Sequence, residues 1–102
     1  MPATYHMYTA EKKLFTHDFS PATGSPYNDP LVNTPAAPAV TINPSGPVIS
    51  AVAKYDNTVT ELIDATGTSA GETFIVTCIA YTTAGQRLKD NIKIIIRDPD
   101  EV

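Results

Sequence analysis

From Leu88 to Arg97 the chain alternates between two kinds of position. Leu88, Asp90, Ile92, Ile94 and Ile96 fall on one side, and Lys89, Asn91, Lys93, Ile95 and Arg97 on the other. Period two is that of a β-strand with one face on a core and the other in water. Upstream, Phe74, Val76, Cys78 and Ala80 suit the same core. The positions between them, Ile75, Thr77, Ile79 and Tyr81, are too apolar for a wetted face and predict a covered one. A tight turn at Thr83-Ala84-Gly85 joins the two strands. Three more strands are predicted before them. Residues 39–43 are stopped by Asn43-Pro44-Ser45-Gly46-Pro47, residues 48–55 end at Asp56-Asn57, and residues 58–64 run into a loop of small residues, 65–71. No segment after residue 39 has helical periodicity, which excludes βαβ units. Short strands with turn signals between them predict an all-β sandwich or barrel.

The first 38 residues read differently. Six of the nine prolines lie there: Pro2, Pro21, Pro26, Pro30, Pro35 and Pro38. Each removes a donor and restricts the residue before it, so 20–38 is expected to be extended, with no helix and no central strand. Residues 9–15 could make one helical turn capped by Thr9. Apolar islands interrupt the segment, and a solvated linker rarely carries these. The expected organisation is an extended proline-rich N-terminal docking arm over 1–38, a β-sandwich over 39–98 and an acidic tail over 99–102. The arm's docking residues would be Leu14, Phe15, Phe19, Tyr27, Leu31 and Val32. On the domain, Ile75, Ile79 and Tyr81 would form the interface, covered either by the arm or by a neighbour. A disordered tail is the alternative for the arm.

Composition removes several function classes. Eleven Asp and Glu against seven Lys and Arg give a net charge of −4, which supplies no basic footprint for nucleic acid. One cysteine, Cys78, permits no internal disulfide. No apolar run is long enough for a membrane span or a signal peptide, so a soluble protein made in the cytoplasm is expected.

Chemistry is sparse. His6 and His17 are two potential ligands where a metal site wants three or four, and solvated or locally bonded histidines are expected. Cys78 reads as a small buried hydrophobe. Asp56, Glu61 and Asp64 could suggest paired carboxylates for glycoside hydrolysis, but no aromatic-lined cleft accompanies them. The single glycines of Ala70-Gly71 and Ala84-Gly85 precede strands and do not make a phosphate loop. No enzyme, cofactor or metal is expected.

The segments Phe74-Ile75-Val76-Thr77, Tyr81-Thr82-Thr83-Ala84-Gly85-Gln86-Arg87 and Ile92-Lys93-Ile94-Ile95-Ile96-Arg97, preceded by Gly67-Thr68-Ser69-Ala70-Gly71, carry a resemblance. Over residues 40–98 the chain resembles small immunoglobulin-like bacteriophage virion proteins, in particular the phage fibre-tail adaptor family. Members often open on an Asp-Trp-rich segment. This chain has no Trp, and His17-Asp18-Phe19-Ser20 stands in the corresponding place. The resemblance implies an immunoglobulin-like β-sandwich and a structural role in the virion, at the neck or tail, linking tail or head to fibres. It implies partners among other virion proteins in a symmetric multi-copy assembly, with no catalytic residues. A capsid decoration or cement protein is the alternative within that class. A carbohydrate- or cell-surface-binding module is the alternative outside it, disfavoured by loops without aromatics.

Overall fold

The computed structural model describes residues 3–23, 29–33 and 37–98. Among the described residues eight strands and one helical turn follow one another: β1 (Ala3–Tyr8), β2 (Lys12–Asp18), α1 (Ser20–Thr23), β3 (Leu31–Val32), β4 (Ala39–Asn43), β5 (Val48–Tyr55), β6 (Thr58–Asp64), β7 (Thr73–Thr82) and β8 (Arg87–Arg97). They form two sheets. In the larger, β1 pairs with β8 and β8 with β7, while β3 and β4 share the other edge of β7. In the smaller the order is β2-β6-β5. All pairs are antiparallel except β1 with β8, which is parallel.

The sheets face each other across a shared core, so the fold is an all-β sandwich. Met7 of β1, Phe15 of β2, Ile63 of β6, Phe74 and Val76 of β7 and Ile92, Ile94 and Ile96 of β8 form one apolar cluster. Phe19, Leu31, Val59, Cys78 and Ala80 form a second. The five strands expected after residue 39 are present at nearly the expected bounds. The alternation of β7 and β8 is also as read: 74, 76, 78 and 80 are buried, as are 92, 94 and 96. At the turn, Thr82 N–H donates to Gln86 O at 3.1 Å and Gly85 N–H to Thr82 O at 3.0 Å. Gly85 has φ 92°, a conformation that favours glycine.

The N-terminal expectation is corrected. Residues 3–18 are not an arm reaching outward: β1 lies along β8, and β2 is a full edge strand of the small sheet. The described sandwich therefore begins at Ala3 and not at residue 39. The helical turn expected over 9–15 is instead a bend at Thr9–Ala10, with Ala10 at φ 64°, leading into a strand. The physical reason is burial. A strand places Phe15 and His17 on the core side together, which no single helical turn could do here. The segment after it contains one helical turn despite its prolines, because Pro21 stands in the first turn, where no amide donor is needed. Thr23 N–H and Oγ1–H both donate to Phe19 O, at 3.1 and 2.9 Å. Tyr27 and the tail 99–102 lie outside the described residues.

Candidate functional site

The most unusual feature of the core is a cluster of three ionisable side chains between the two sheets. His17 projects inward from β2 between Phe15 and Phe19. Glu61 projects inward from β6 between Val59 and Ile63. Asp90 takes the inward frame of β8 between Leu88 and Ile92. In each strand the polar residue has a member of one apolar cluster two places before it and of the other two places after, so the charged row divides the core in two. His17 and Glu61 are fully buried, while the Asp90 side chain keeps 40% exposure.

The imidazole bridges both carboxylates. Nδ1–H donates to Asp90 Oδ2 at 2.6 Å, and Nε2–H donates to Glu61 Oε1. Two carboxylate acceptors require two ring donors, and only the imidazolium has both. Burial pulls the His17 pKa down, but the hydrogen bonds and charges of Glu61 and Asp90 outweigh it and hold it above the ordinary 6.5. Glu61 Oε2 is buried and has no hydrogen-bond partner among the described residues, so His17 is that carboxylate's one polar contact there. Because β2 and β8 belong to different sheets, the His17–Asp90 bond clasps the sandwich across its middle.

This arrangement does little chemically. Both ring nitrogens are engaged, leaving no lone pair to accept a proton from a substrate. Cys78 lies opposite Asp90 in the β7–β8 register, and its thiol is pushed up to about 12, by burial first and then by the charges of Glu61 and Asp90. It stays protonated and unreactive. No group of three or more His, Cys, Asp or Glu among the described residues could hold a metal ion. An open cleft of about 170 Å³ adjoins the clasp, lined by Asp18, Phe19, Pro21, Leu88, Lys89 and Asp90.

The expectation of a solvated or locally bonded His17 is thus corrected, since its partners are 44 and 73 residues away. His6 sits on the opposite side of the large sheet and accepts from Arg97 Nε–H at 3.0 Å. Asp56, Glu61 and Asp64 do not converge. Asp56 is in the β5–β6 turn, Glu61 points inward and Asp64 points outward, accepting from Thr66 N–H and Oγ1–H.

The expected docking residues divide into three groups. Phe15, Phe19 and Leu31 are core residues of their own domain, at 5%, 6% and 3% exposure, and have no surface left to offer. Their apolar character reported burial within the chain. Val32 is half-buried on β3, beside Tyr81. Ile75, Ile79 and Tyr81 lie half-buried on the outer face of the large sheet, where no arm covers them among the described residues. Leu14 lies on the outer face of the small sheet, 61% exposed. With it are exposed residues that sequence reading missed, Val48 at 60% and Tyr55 at 64%, and at the bulge of the same strand Val52 is 40% exposed. Their edge strand, β5, carries a bulge between Ser50 and Ala53 that breaks the alternation and hid the pattern.

One polar site organises the end of the sandwich. Asp29 accepts from Thr82 Oγ1–H at 2.6 Å, Gln86 Nε2–H at 2.7 Å and Ala84 N–H at 2.7 Å. These bonds hold its carboxyl below the ordinary value, Thr82 and Gln86 contributing most. Asp29→Ala is expected to raise amide exchange at Ala84 and Gln86 by about tenfold or more, while the centre of β7 stays protected. Unchanged exchange at Ala84 would show that the turn does not depend on Asp29.

Compared with known protein families and with curated proteins, the chain matches none.

Proposed function

We propose that this protein is a structural, non-enzymatic interaction module, an immunoglobulin-like sandwich serving as an adaptor at the neck or tail of a tailed-phage virion. Three lines support the reading. The sheet layout, β2-β6-β5 packed on β8-β7-β3/β4 with the first strand beside the last, has the arrangement expected of an immunoglobulin-like domain. Among the described residues the buried charged cluster engages both nitrogens of its imidazole within itself and serves cohesion between the sheets. The sequence resemblance over residues 40–98 supplies the virion setting.

The observation that carries the reading is the outer face of the small sheet. Leu14 of β2 and Val48 and Tyr55 of β5 are large apolar side chains left 60–64% exposed on it. Grouped exposure of this kind marks a surface that meets another protein. With residues 3–18 built into the sandwich, attachment passes from an arm to the strand faces.

Mass spectrometry of purified virions carrying the chain tests this. An adaptor is expected at a copy number on the order of tens, matching a ring at one vertex. A copy number in the hundreds would replace it with a capsid decoration role. Absence from purified particles would overturn the reading.

A further inference from the structure

The two outer faces of the sandwich carry opposite chemistry. On the large sheet the register places three of the four outward cations of β8 directly opposite a large apolar residue of β7: Arg87 beside Tyr81, Lys89 beside Ile79 and Lys93 beside Ile75, while the fourth, Arg97, lies beside Tyr8 of β1. Opposed residues share a face. Between the second and third pair, Thr77 and Asn91 are joined by a hydrogen bond of 2.8 Å. The result is an apolar column flanked by a cationic one. The outward positions of β1 (Thr4, His6, Tyr8) and of β4 (Ala39, Thr41, Asn43) add no acid. Among the described residues, no acid of this chain of net charge −4 takes an outward strand position on this sheet. Arg87, Lys89 and Lys93 make no ion pair among the described residues.

The small sheet is the counterpart. Its outward rows are Lys12–Asp64–Val48, Leu14–Leu62–Ser50, Thr16–Thr60–Ala53 and Asp18–Thr58–Tyr55. Lys12 is paired with Asp64 at 3.9 Å. That leaves Asp18, with Asp56 in the adjoining turn, as the uncompensated charges beside exposed Tyr55 at one end of a face that also carries Leu14 and Val48.

We propose that copies of this chain stack head to tail, the cationic–apolar face of the large sheet of one copy seating on the acidic–apolar face of the small sheet of the next. Each face offers apolar area for the other to cover and charge of the opposite sign. The smaller face sets the limit: three strands about 4.8 Å apart, of 7, 7 and 8 residues, present on the order of 350 Å² per copy. The roughly 700 Å² total is the size of a weak, reversible contact, which associates as concentration rises. The contact is heterologous, so it builds a ring if its rotation closes and a filament if it does not. Nucleic acid is a poorer occupant of the large-sheet face. Its four outward cations, Arg87, Lys89, Lys93 and Arg97, neutralise few phosphates in a chain of net charge −4. The proposal rests on the multi-copy part of the functional reading and not on the virion setting. A chain present in particles but monomeric alone would defeat stacking and leave that reading intact. A chain that stacks but is absent from particles would do the reverse.

Sedimentation velocity of the full chain over a concentration series tests it. Wild type is expected to grow in mass with concentration at low salt and to dissociate in about 0.5 M salt, where charge attraction is screened. Two paired variants lie at exposed or half-exposed positions and are expected to keep the wild-type circular dichroism. Lys89→Glu with Lys93→Glu disables one face, and Leu14→Glu with Tyr55→Glu disables the other. Each alone is expected to weaken association by at least about tenfold. Mixed together they are expected to form a dimer that grows no further, because each supplies the face the other lacks. A wild type that stays monomeric at low salt, a variant pair that assembles like wild type, or a mixture that does not restore the dimer would each overturn the proposal.

Discussion

Replacing His17 with leucine is expected to destabilise the sandwich by about 3–5 kcal/mol, read from denaturant unfolding. The estimate follows from what the substitution leaves behind. Glu61 is fully buried and its Oε2 has no hydrogen-bond partner among the described residues, so without the imidazolium it becomes a buried charge with nothing to balance it. Removing one member of a buried ion pair costs about this much, mainly through the stranded partner. Asp90, at 40% side-chain exposure, recovers hydration from solvent and adds little. The double variant His17→Leu with Glu61→Leu is therefore expected to regain most of the loss, because apolar replacement of a buried pair is often neutral. A single variant within about 1 kcal/mol of wild type would show that the cluster does not clasp the sheets.

The same cluster sets a pH window. The folded pKa of His17 is raised above its ordinary 6.5, so its contribution is fully present below 6.5 and is lost as pH rises through the folded value. Asp29 is shifted the other way, below its ordinary 3.8. Its contribution is present above 3.8 and is lost as pH falls through the folded value. Both contributions are fully in place between 3.8 and 6.5, so stability is expected to be highest there and to decline as pH rises above 6.5 through the folded His17 value or falls below 3.8 through the folded Asp29 value.

Deleting residues 1–18 is expected to leave the rest of the chain unfolded. The deletion removes Met7 and Phe15 from the core, at 1% and 5% exposure. Burying such side chains stabilises by about 1.5–3 kcal/mol each, and the clasp is lost as well. Together these amount to about 6–11 kcal/mol, against a total stability of about 5–15 kcal/mol for a domain of this kind. The deletion also bares the edge of β8 along the whole of β1. A cooperative melting transition in the truncated chain would show that β1 and β2 are dispensable.

The contrast between the two halves of the chain shows what local pattern can reveal. The strands after residue 39 were legible because their alternation and their turn residues are local signals. β8 displays its core side as Ile92, Ile94 and Ile96, and Gly85 marks the turn before it. β1 has no such signal. As an edge strand paired on one side it buries Met7 alone among its six residues, and ATYHMY shows no period. In β2 the alternation of Phe15, His17 and Phe19 is present, but a histidine in the middle reads as polar surface when its partners are unknown. Asp90 was legible on the core face of β8, and Glu61 stands in the same frame as Val59 and Ile63. That three strands each carry one ionisable residue in the inward frame is a signal the sequence contains. That the three meet is not, because it depends on which strands the two sheets bring together. Of the apolar residues read as docking positions in the first 32, Phe15, Phe19 and Leu31 are covered by the chain's own core, while Leu14 is left 61% exposed.

Everything in this reading, from the clasp to the two outer faces, depends on the first two strands being part of the sandwich. Hydrogen–deuterium exchange on the full chain measures that directly. The amides of β1 and β2 that bond to β8 and β6 are expected to be protected to a degree comparable with those of β7. Exchange of residues 3–18 at the rate of unstructured chain, with 39–98 still protected, would contradict it.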